Sequence, residues 1–72
     1  MSERQTTGWM PGLPPKDDRT YEVRQRCLGA GGKPWVAQDA PAAFWDGGRL
    51  CRRSAFHGGL VHLVLMNEWR LP

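Results

Sequence analysis

The chain has 72 residues, with ten Lys or Arg against seven Asp or Glu and a net charge of +3. This length allows one domain at most, with a small core, because a domain of about 60 residues buries only about 60% of its unfolded surface. The charge is too low to make nucleic acid the default partner, although it permits one. We expect residues 1–7 to be a flexible N-terminal segment and residues 8–72 to form a single small β-domain.

The sequence predicts a cytoplasmic protein with no membrane partner. Its first residues are polar where a signal peptide would be apolar. The longest apolar stretch, residues 60–66, is too short to span a bilayer and contains His62. In the cytoplasm Cys27 and Cys51 are expected to be reduced thiols, with a cross-strand disulfide as the alternative in an oxidising setting.

The first predicted strand covers residues 20–28. It alternates as a half-buried strand does, with Tyr21 and Cys27 on one face and charged residues on the other. The glycine-rich stretch that follows favours a hairpin turn. The return strand, residues 35–38, is predicted to be short, because Pro41 indicates an interruption at an edge or a bulge.

The clearest local signal is the Asp46-Gly47 pair between aromatic and apolar residues. It predicts a tight hairpin, because glycine readily adopts the positive φ that the turn requires. A second glycine turn leads into residues 60–66, whose nearly continuous apolar run predicts a central strand covered on both faces. A short buried helix is the rival interpretation of that run, and a single helical turn over residues 39–45 is a further alternative.

Together these elements predict an all-β or mostly β fold, a small antiparallel meander of about three to five strands in a single domain. Trp9 and Trp69 each lie close to prolines, which keep the chain extended. We expect these two segments to pin the ends of the sheet by packing across an end or a face. The four Trp, two Phe and one Tyr are the expected core material.

Four short segments form a recognisable series along the chain. They are Trp-Met-Pro-Gly-Leu-Pro-Pro at 9–15, Tyr-Glu-Val-Arg at 21–24, Phe-Trp-Asp-Gly at 44–47 and Trp-Arg-Leu-Pro at 69–72. The series resembles the small phage- and prophage-encoded domains of unknown function that share a tryptophan–leucine–proline bracket. The chain departs from that pattern in having more residues between the hairpin and the closing tryptophan. The resemblance implies a compact β-rich fold and a phage or prophage origin, and it implies no activity.

The cysteines and histidines do not predict a metal site. Structural zinc sites recruit their ligands in close pairs, whereas Cys27 and Cys51 are far apart in the sequence and a glycine pair separates His57 from His62. We therefore expect no metal and no cofactor. Cys51, next to two arginines, is the single candidate for a reactive thiol, provided that it is exposed.

No other arrangement of residues predicts catalysis. Asp17-Asp18 is best explained as a solvated turn, since an acid–base pair needs a pocket that separates two pKa values. The glycines at 29–32 lack the Lys-Ser/Thr that ends a phosphate-binding loop. We therefore expect a protein that is not an enzyme.

The remaining candidates for function are arginines near aromatic residues. They are Arg24, Arg26, Arg49, Arg52 and Arg53. If their strands are neighbours, these side chains would form one patch, and the leading interpretation is a non-enzymatic module that binds a host or phage protein. Nucleic-acid binding through phosphate contacts and base stacking is the alternative, and a solvated arginine face is a third interpretation. The apolar run at 60–66 adds a homodimer as a further alternative.

Overall fold

The computed structural model describes residues 8–72, and the predicted flexible segment, residues 1–7, lies outside them. The described chain is a single antiparallel sheet of six strands in the order β1-β6-β2-β3-β4-β5. Its elements are β1 (Met10–Pro11), β2 (Tyr21–Leu28), a 3₁₀ turn (Ala30–Gly32), β3 (Pro34–Asp46), β4 (Arg49–Arg53), β5 (Leu60–His62) and β6 (Glu68–Arg70). The all-β prediction is confirmed, with one strand more than expected. None of the described helical turns could cross a membrane.

The hydrophobic core lies against one face of the sheet. Its buried residues are Tyr21, Val23, Ala40, Ala43, Leu50, Leu63 and Met66. Trp45 and Trp69 are half-buried and pack against this cluster. Trp69 meets the Tyr21 ring edge-to-face, with the ring centroids 5.3 Å apart. This geometry is the one that aromatic quadrupoles favour.

Aromatic side chains supply less of the core than the sequence predicts. Tyr21 is the one aromatic residue of the described chain that is fully buried. Trp35 is 53% exposed and Phe56 is 97% exposed. Small side chains such as Ala40 and Ala43 occupy buried positions instead; they lie opposite Val23 and Tyr21 of β2.

The two ends of the described chain are neighbouring strands. Met10 of β1 pairs with Trp69 of β6, and Trp69 pairs in turn with Val23 of β2. The amide of Gly12 extends the β1–β6 ladder by donating to the Asn67 carbonyl at 2.8 Å. The end segments therefore enter the sheet by backbone pairing, where the sequence predicted packing across an end or a face.

β3 runs without a break for 13 residues, so the interruption predicted at residues 39–41 is wrong and the alternative helical turn does not form. Its register with β2 shifts near Pro41, since Tyr21 pairs with Ala43 whereas Val23 pairs with Ala40. A bulged residue makes no regular ladder bond, so a proline is tolerated there. The expected bulge is present, and the strand continues through it.

All three predicted glycine turns form, and the first, around the 3₁₀ turn, connects β2 to β3. Asp46 of β3 lies opposite Arg49 of β4, and the two loop residues, Gly47 and Gly48, have φ of +60° and +81°. Two successive residues with positive φ make the turn whose twist matches paired strands. The third turn connects β4 to β5 through residues 54–59.

The apolar run at residues 60–66 is not a central strand, so that prediction is wrong. Only its first three residues form a strand, β5, which lies at the edge of the sheet. The chain then bends over the core, with Leu63 and Met66 buried and Val64 and Leu65 exposed. Leu65 has a φ of +66°, a conformation that is uncommon for a residue other than glycine. Leu63 and Met66 are therefore the residues of this run that belong to the core.

Candidate interaction surface

A network of aromatic and charged side chains covers β1, β6 and β2 on the face opposite the core. The guanidinium carbons of Arg24 and Arg70 lie 4.0 Å and 4.5 Å from the centroid of the Trp9 ring. Arg24 Nε donates a hydrogen bond of 2.7 Å to Glu68, and Arg70 Nε donates to Glu22. Each of these two cations is therefore balanced by a carboxylate on the neighbouring strand.

The register of β2 and β6 explains this network. Glu22 lies directly opposite Arg70, and Arg24 lies directly opposite Glu68. Directly opposed residues in an antiparallel pair point to the same face and approach closely. The two ion pairs therefore form side by side as soon as β6 enters the sheet.

A groove of about 660 Å³ lies on the same face and extends to β3. Its polar and apolar walls include Trp9, Glu22, Arg24, Val36, Asp39, Pro41 and Arg70. Asp39 is exposed, and neither described ion pair involves its carboxylate. With two guanidinium groups and two carboxylates in its walls, the groove carries no net positive charge.

β3 has an open edge beside this groove. On one side, residues 34–43 of β3 pair with β2. On the other side, only residues 44–46 have a partner, which is the much shorter β4. Within residues 8–72 no further backbone group bonds to the backbone of residues 34–41 along that second side, although the Gln38 side chain donates to the Val64 carbonyl at 2.8 Å. The edge is therefore open from Pro34 to Pro41.

The hydrogen-bond pattern shows which backbone groups face the open edge. Opposite residues of an antiparallel pair either exchange two bonds or exchange none, and in the second case their groups point away from each other. The Arg24 carbonyl accepts from the Asn67 amide at 3.0 Å, and the Arg26 amide donates to Asn67 Oδ1 at 2.8 Å. The backbone N–H and C=O groups of both residues therefore point toward β6. A second register shift leaves Ala37 as an extra residue between Gln38 and Val36. Because Asp39 and Val36 lie opposite Arg24 and Arg26, we infer that their N–H and C=O groups point to the open edge.

A second, smaller pocket of about 380 Å³ lies where β4 ends beside β3. Its walls are Thr20, Pro41, Ala42, Phe44, Arg52 and Arg53. The Arg53 guanidinium lies 5.8 Å from the centroid of the Phe44 ring, and Arg52 Nη1 donates to the Arg53 carbonyl at 3.2 Å. No carboxylate of the described chain forms an ion pair with either arginine. Pro41 lines this pocket and the groove alike, so the two adjoin at that residue.

The arginines that the sequence singled out fall into two groups. Arg24 and Arg26 lie on β2, whereas Arg49, Arg52 and Arg53 lie on β4, and β3 runs between these strands. The condition for a single patch, that the two strands be neighbours, is therefore not met. Arg24 is engaged with Glu68 and Trp9, and Arg26, Arg49 and Arg53 are exposed.

The candidate reactive thiol does not meet its condition of exposure. Cys51 is 4% exposed, and its Sγ lies 3.5 Å from the Arg49 carbonyl oxygen. Cys27 is half-buried, and both cysteines are free. Among the residues that the structure describes, no group of three or more His, Cys, Asp or Glu side chains could hold a metal ion.

Asp17 is more than a solvated turn residue, which the sequence reasoning missed. Its carboxylate accepts from the Tyr21 hydroxyl at 2.7 and 2.9 Å and from the Arg19 amide at 3.1 Å. The Tyr21 hydrogen bond, followed by the Arg19 one, lowers the pKa of Asp17. Burial, followed by the bond to Asp17, raises the pKa of Tyr21. The pair supplies the buried tyrosine with an acceptor, and its four-residue spacing is the signal that could have revealed it.

The open edge of β3 is also not predicted from the sequence, since it depends on the unequal lengths of β3 and β4.

Comparison of the chain with protein-family models, with curated proteins and with solved structures finds no match. The features on which a function can be built are therefore this edge, the groove and the pocket.

Proposed function

We propose that the protein is a non-enzymatic interaction module that binds an extended segment of another protein by adding it as a strand to the open edge of β3. The observation that carries the proposal is the pair of edge-facing backbone groups at Val36 and Asp39. An exposed edge strand is a ready template for another chain. In strand addition, backbone hydrogen bonds supply affinity and adjacent pockets supply specificity.

The two prolines at the ends of the edge limit the length of the bound segment. Pro34 and Pro41 have no N–H to offer a further strand, and both are exposed. Prolines on an edge also protect a sheet against open-ended association. The edge therefore favours a short segment that pairs between these two positions.

The side chains along the edge indicate what the segment carries. Val36 is 45% exposed and lines the groove together with Trp9, so an apolar side chain opposite Val36 would extend this surface. The Asp39 carboxylate is exposed and has no cationic partner in the described chain. Because opposite charges stabilise cross-strand pairs, a basic residue fits opposite Asp39.

A different protein fits this edge better than a second copy of the chain. In the antiparallel register that sets both edge-facing residues of each copy opposite those of the other, each Val36 would lie opposite Asp39 of the other copy. That register places an apolar side chain against a carboxylate on both sides. The resemblance of the terminal segments to small phage-encoded domains makes a host or phage protein the class of partner that we propose.

Nucleic acid is the less favoured partner for this surface. Glu68 balances Arg24 and Glu22 balances Arg70, so neither cation is available for phosphate without breaking an ion pair. The exposed Asp39 would also repel a phosphate backbone. Binding driven by phosphate contacts would weaken steeply with salt, which makes this alternative easy to recognise.

The test is selection of a displayed library of random eight-residue peptides on the full chain. We expect enriched peptides to protect the Val36 and Asp39 amides from hydrogen exchange, as measured by NMR. Val36→Pro and Asp39→Arg are each expected to weaken binding about tenfold or more. The matched control is Asp18→Arg, which makes the same charge change at an exposed position before β2 and should leave binding unchanged. Thermal unfolding of each variant separates lost binding from lost folding.

Three results would overturn the proposal. The first is that no peptide is enriched, or that bound peptides leave the Val36 and Asp39 amides unprotected. The second is that the free protein dimerises with those amides protected, which would make a second copy the occupant. The third is that a mixed-sequence single-stranded oligonucleotide binds in place of the peptides, with an affinity that falls steeply with salt.

A further inference from the structure

The pocket at the end of β4 lies in line with the proposed binding edge. β4 pairs with β3 only over residues 44–46, and it ends at Arg53. A strand added to residues 34–41 would occupy the same side of β3 as β4 does. One end of the added strand would therefore meet the pocket formed by Phe44, Arg52 and Arg53.

The direction of the added strand decides which of its ends meets the pocket. Antiparallel pairing is slightly more stable per residue than parallel pairing, and each ladder of this sheet is antiparallel. An antiparallel segment continues the direction of β4, because β4 is itself antiparallel to β3. Its N-terminal end therefore lies next to Arg53.

The chemistry of the pocket favours a carboxylate. Arg52 and Arg53 have no carboxylate partner in residues 8–72, in contrast to Arg24 and Arg70. A guanidinium presents a planar fork of donors that matches the two oxygens of a carboxylate. The Phe44 ring lies 5.8 Å from the Arg53 guanidinium and adds an apolar wall beside the two cations.

We infer that this pocket selects an acidic side chain at the start of the bound segment, an inference that rests on the proposed strand addition. The segment then has a defined order of side chains. An acidic residue meets Arg52 and Arg53, a basic residue follows opposite Asp39 about two or three residues later, and an apolar residue opposite Val36 comes about two or three residues after that. Each charged residue of the segment then lies opposite a residue of opposite charge on the protein. A segment bound in the reverse direction would lose these pairings, so the order of the side chains also sets the direction of binding.

The experiment compares peptide selections on the wild-type chain and on the double variant Arg52→Gln/Arg53→Gln. The matched control is Arg26→Gln/Arg49→Gln, which removes two exposed arginines outside the pocket. We expect the wild type and the control to enrich Asp or Glu near the peptide N-terminus and the pocket variant to lose that preference. An acidic peptide should bind the pocket variant about tenfold more weakly, whereas its Asn or Gln counterpart should bind both proteins equally.

The outcomes separate this inference from the proposed function. If peptides protect the Val36 and Asp39 amides but show no acidic preference, or keep that preference on the pocket variant, the inference is overturned and strand addition stands. If amidation of the peptide C-terminus abolishes binding, the carboxylate comes from a chain end and the antiparallel arrangement is wrong. If no peptide protects the edge amides, the proposed function itself fails.

Discussion

The two sides of the β2–β3 pair differ in how many of their backbone and charged groups have a partner within the protein. On the β6 side, Arg24 and Arg70 each lie opposite a glutamate and beside the Trp9 ring. On the β4 side, the neighbouring strand covers only the last residues of β3, and Arg52 and Arg53 lack a carboxylate from the described chain. The end segments complete one half of the sheet, whereas the other half leaves backbone groups and charges without a partner in the described chain.

The tryptophans provide the largest expected contrast between the two sides. Trp69 packs against the core and Tyr21 on the β6 side, whereas Trp35 on β3 is 53% exposed. We expect Trp69→Ala to lower the free energy of unfolding by about 3 kcal/mol, a large part of the stability of a small domain. Trp35→Ala should lower it by less than about 1 kcal/mol. Urea denaturation of both variants measures the difference, and equal losses would contradict the contrast.

The charged pairs provide a smaller contrast. The Arg24 and Glu68 side chains are 22% and 23% exposed, so water screens their ion pair only in part. A double-mutant cycle with Arg24→Gln and Glu68→Gln should give a coupling of about 1 kcal/mol. Arg52→Gln, which breaks no ion pair of the described chain, should change stability by less than about 0.5 kcal/mol. A coupling near zero for Arg24 and Glu68 would mean that the β6 side is not held by its charges.

The smallest expected effect is a pH dependence at the turn that leads into β2. The pKa of Asp17 lies below its ordinary value of 3.8 in the folded protein, chiefly because Tyr21 donates to it. Its contribution to stability is therefore complete above about pH 4 and is lost as the pH falls through the folded pKa. In Asp17→Asn and in Tyr21→Phe, the free energy of unfolding should fall less steeply as the pH is lowered. Urea midpoints measured between about pH 2 and pH 6 test it, and an unchanged slope in both variants would contradict it.

Local turn chemistry is the part of the fold that residue order predicts well. The Gly47-Gly48 turn follows from the positive φ that glycine tolerates, and the alternation in β2 follows from the two-residue period of a strand. The apolar run at 60–66 is predicted wrongly, because composition does not distinguish a strand covered on two faces from a bend that covers a core. Pro41 indicates a bulge, but whether the strand continues through that bulge depends on its pairing with β2.

The candidate site is less predictable, because it depends on pairings between distant residues. Arg24 and Glu68 are separated by 44 positions in the sequence, and nothing in either segment shows that they lie opposite each other. Of the five arginines that the sequence indicates, Arg24 alone has a carboxylate partner in the described chain, and the register of β2 with β6 supplies it. Trp35 is likewise exposed at a part of β3 that β4 does not reach, which the sequence around Trp35 does not show.

Residue order is enough to determine a small antiparallel all-β domain with tight glycine hairpins, because alternation and backbone conformation are local properties. The open edge of β3, the groove beside it and the unpaired arginines of the pocket arise only when the strands assemble. Whether a backbone amide or a charge has a partner is a property of strand order and strand length, and these are set by contacts between segments far apart in the chain.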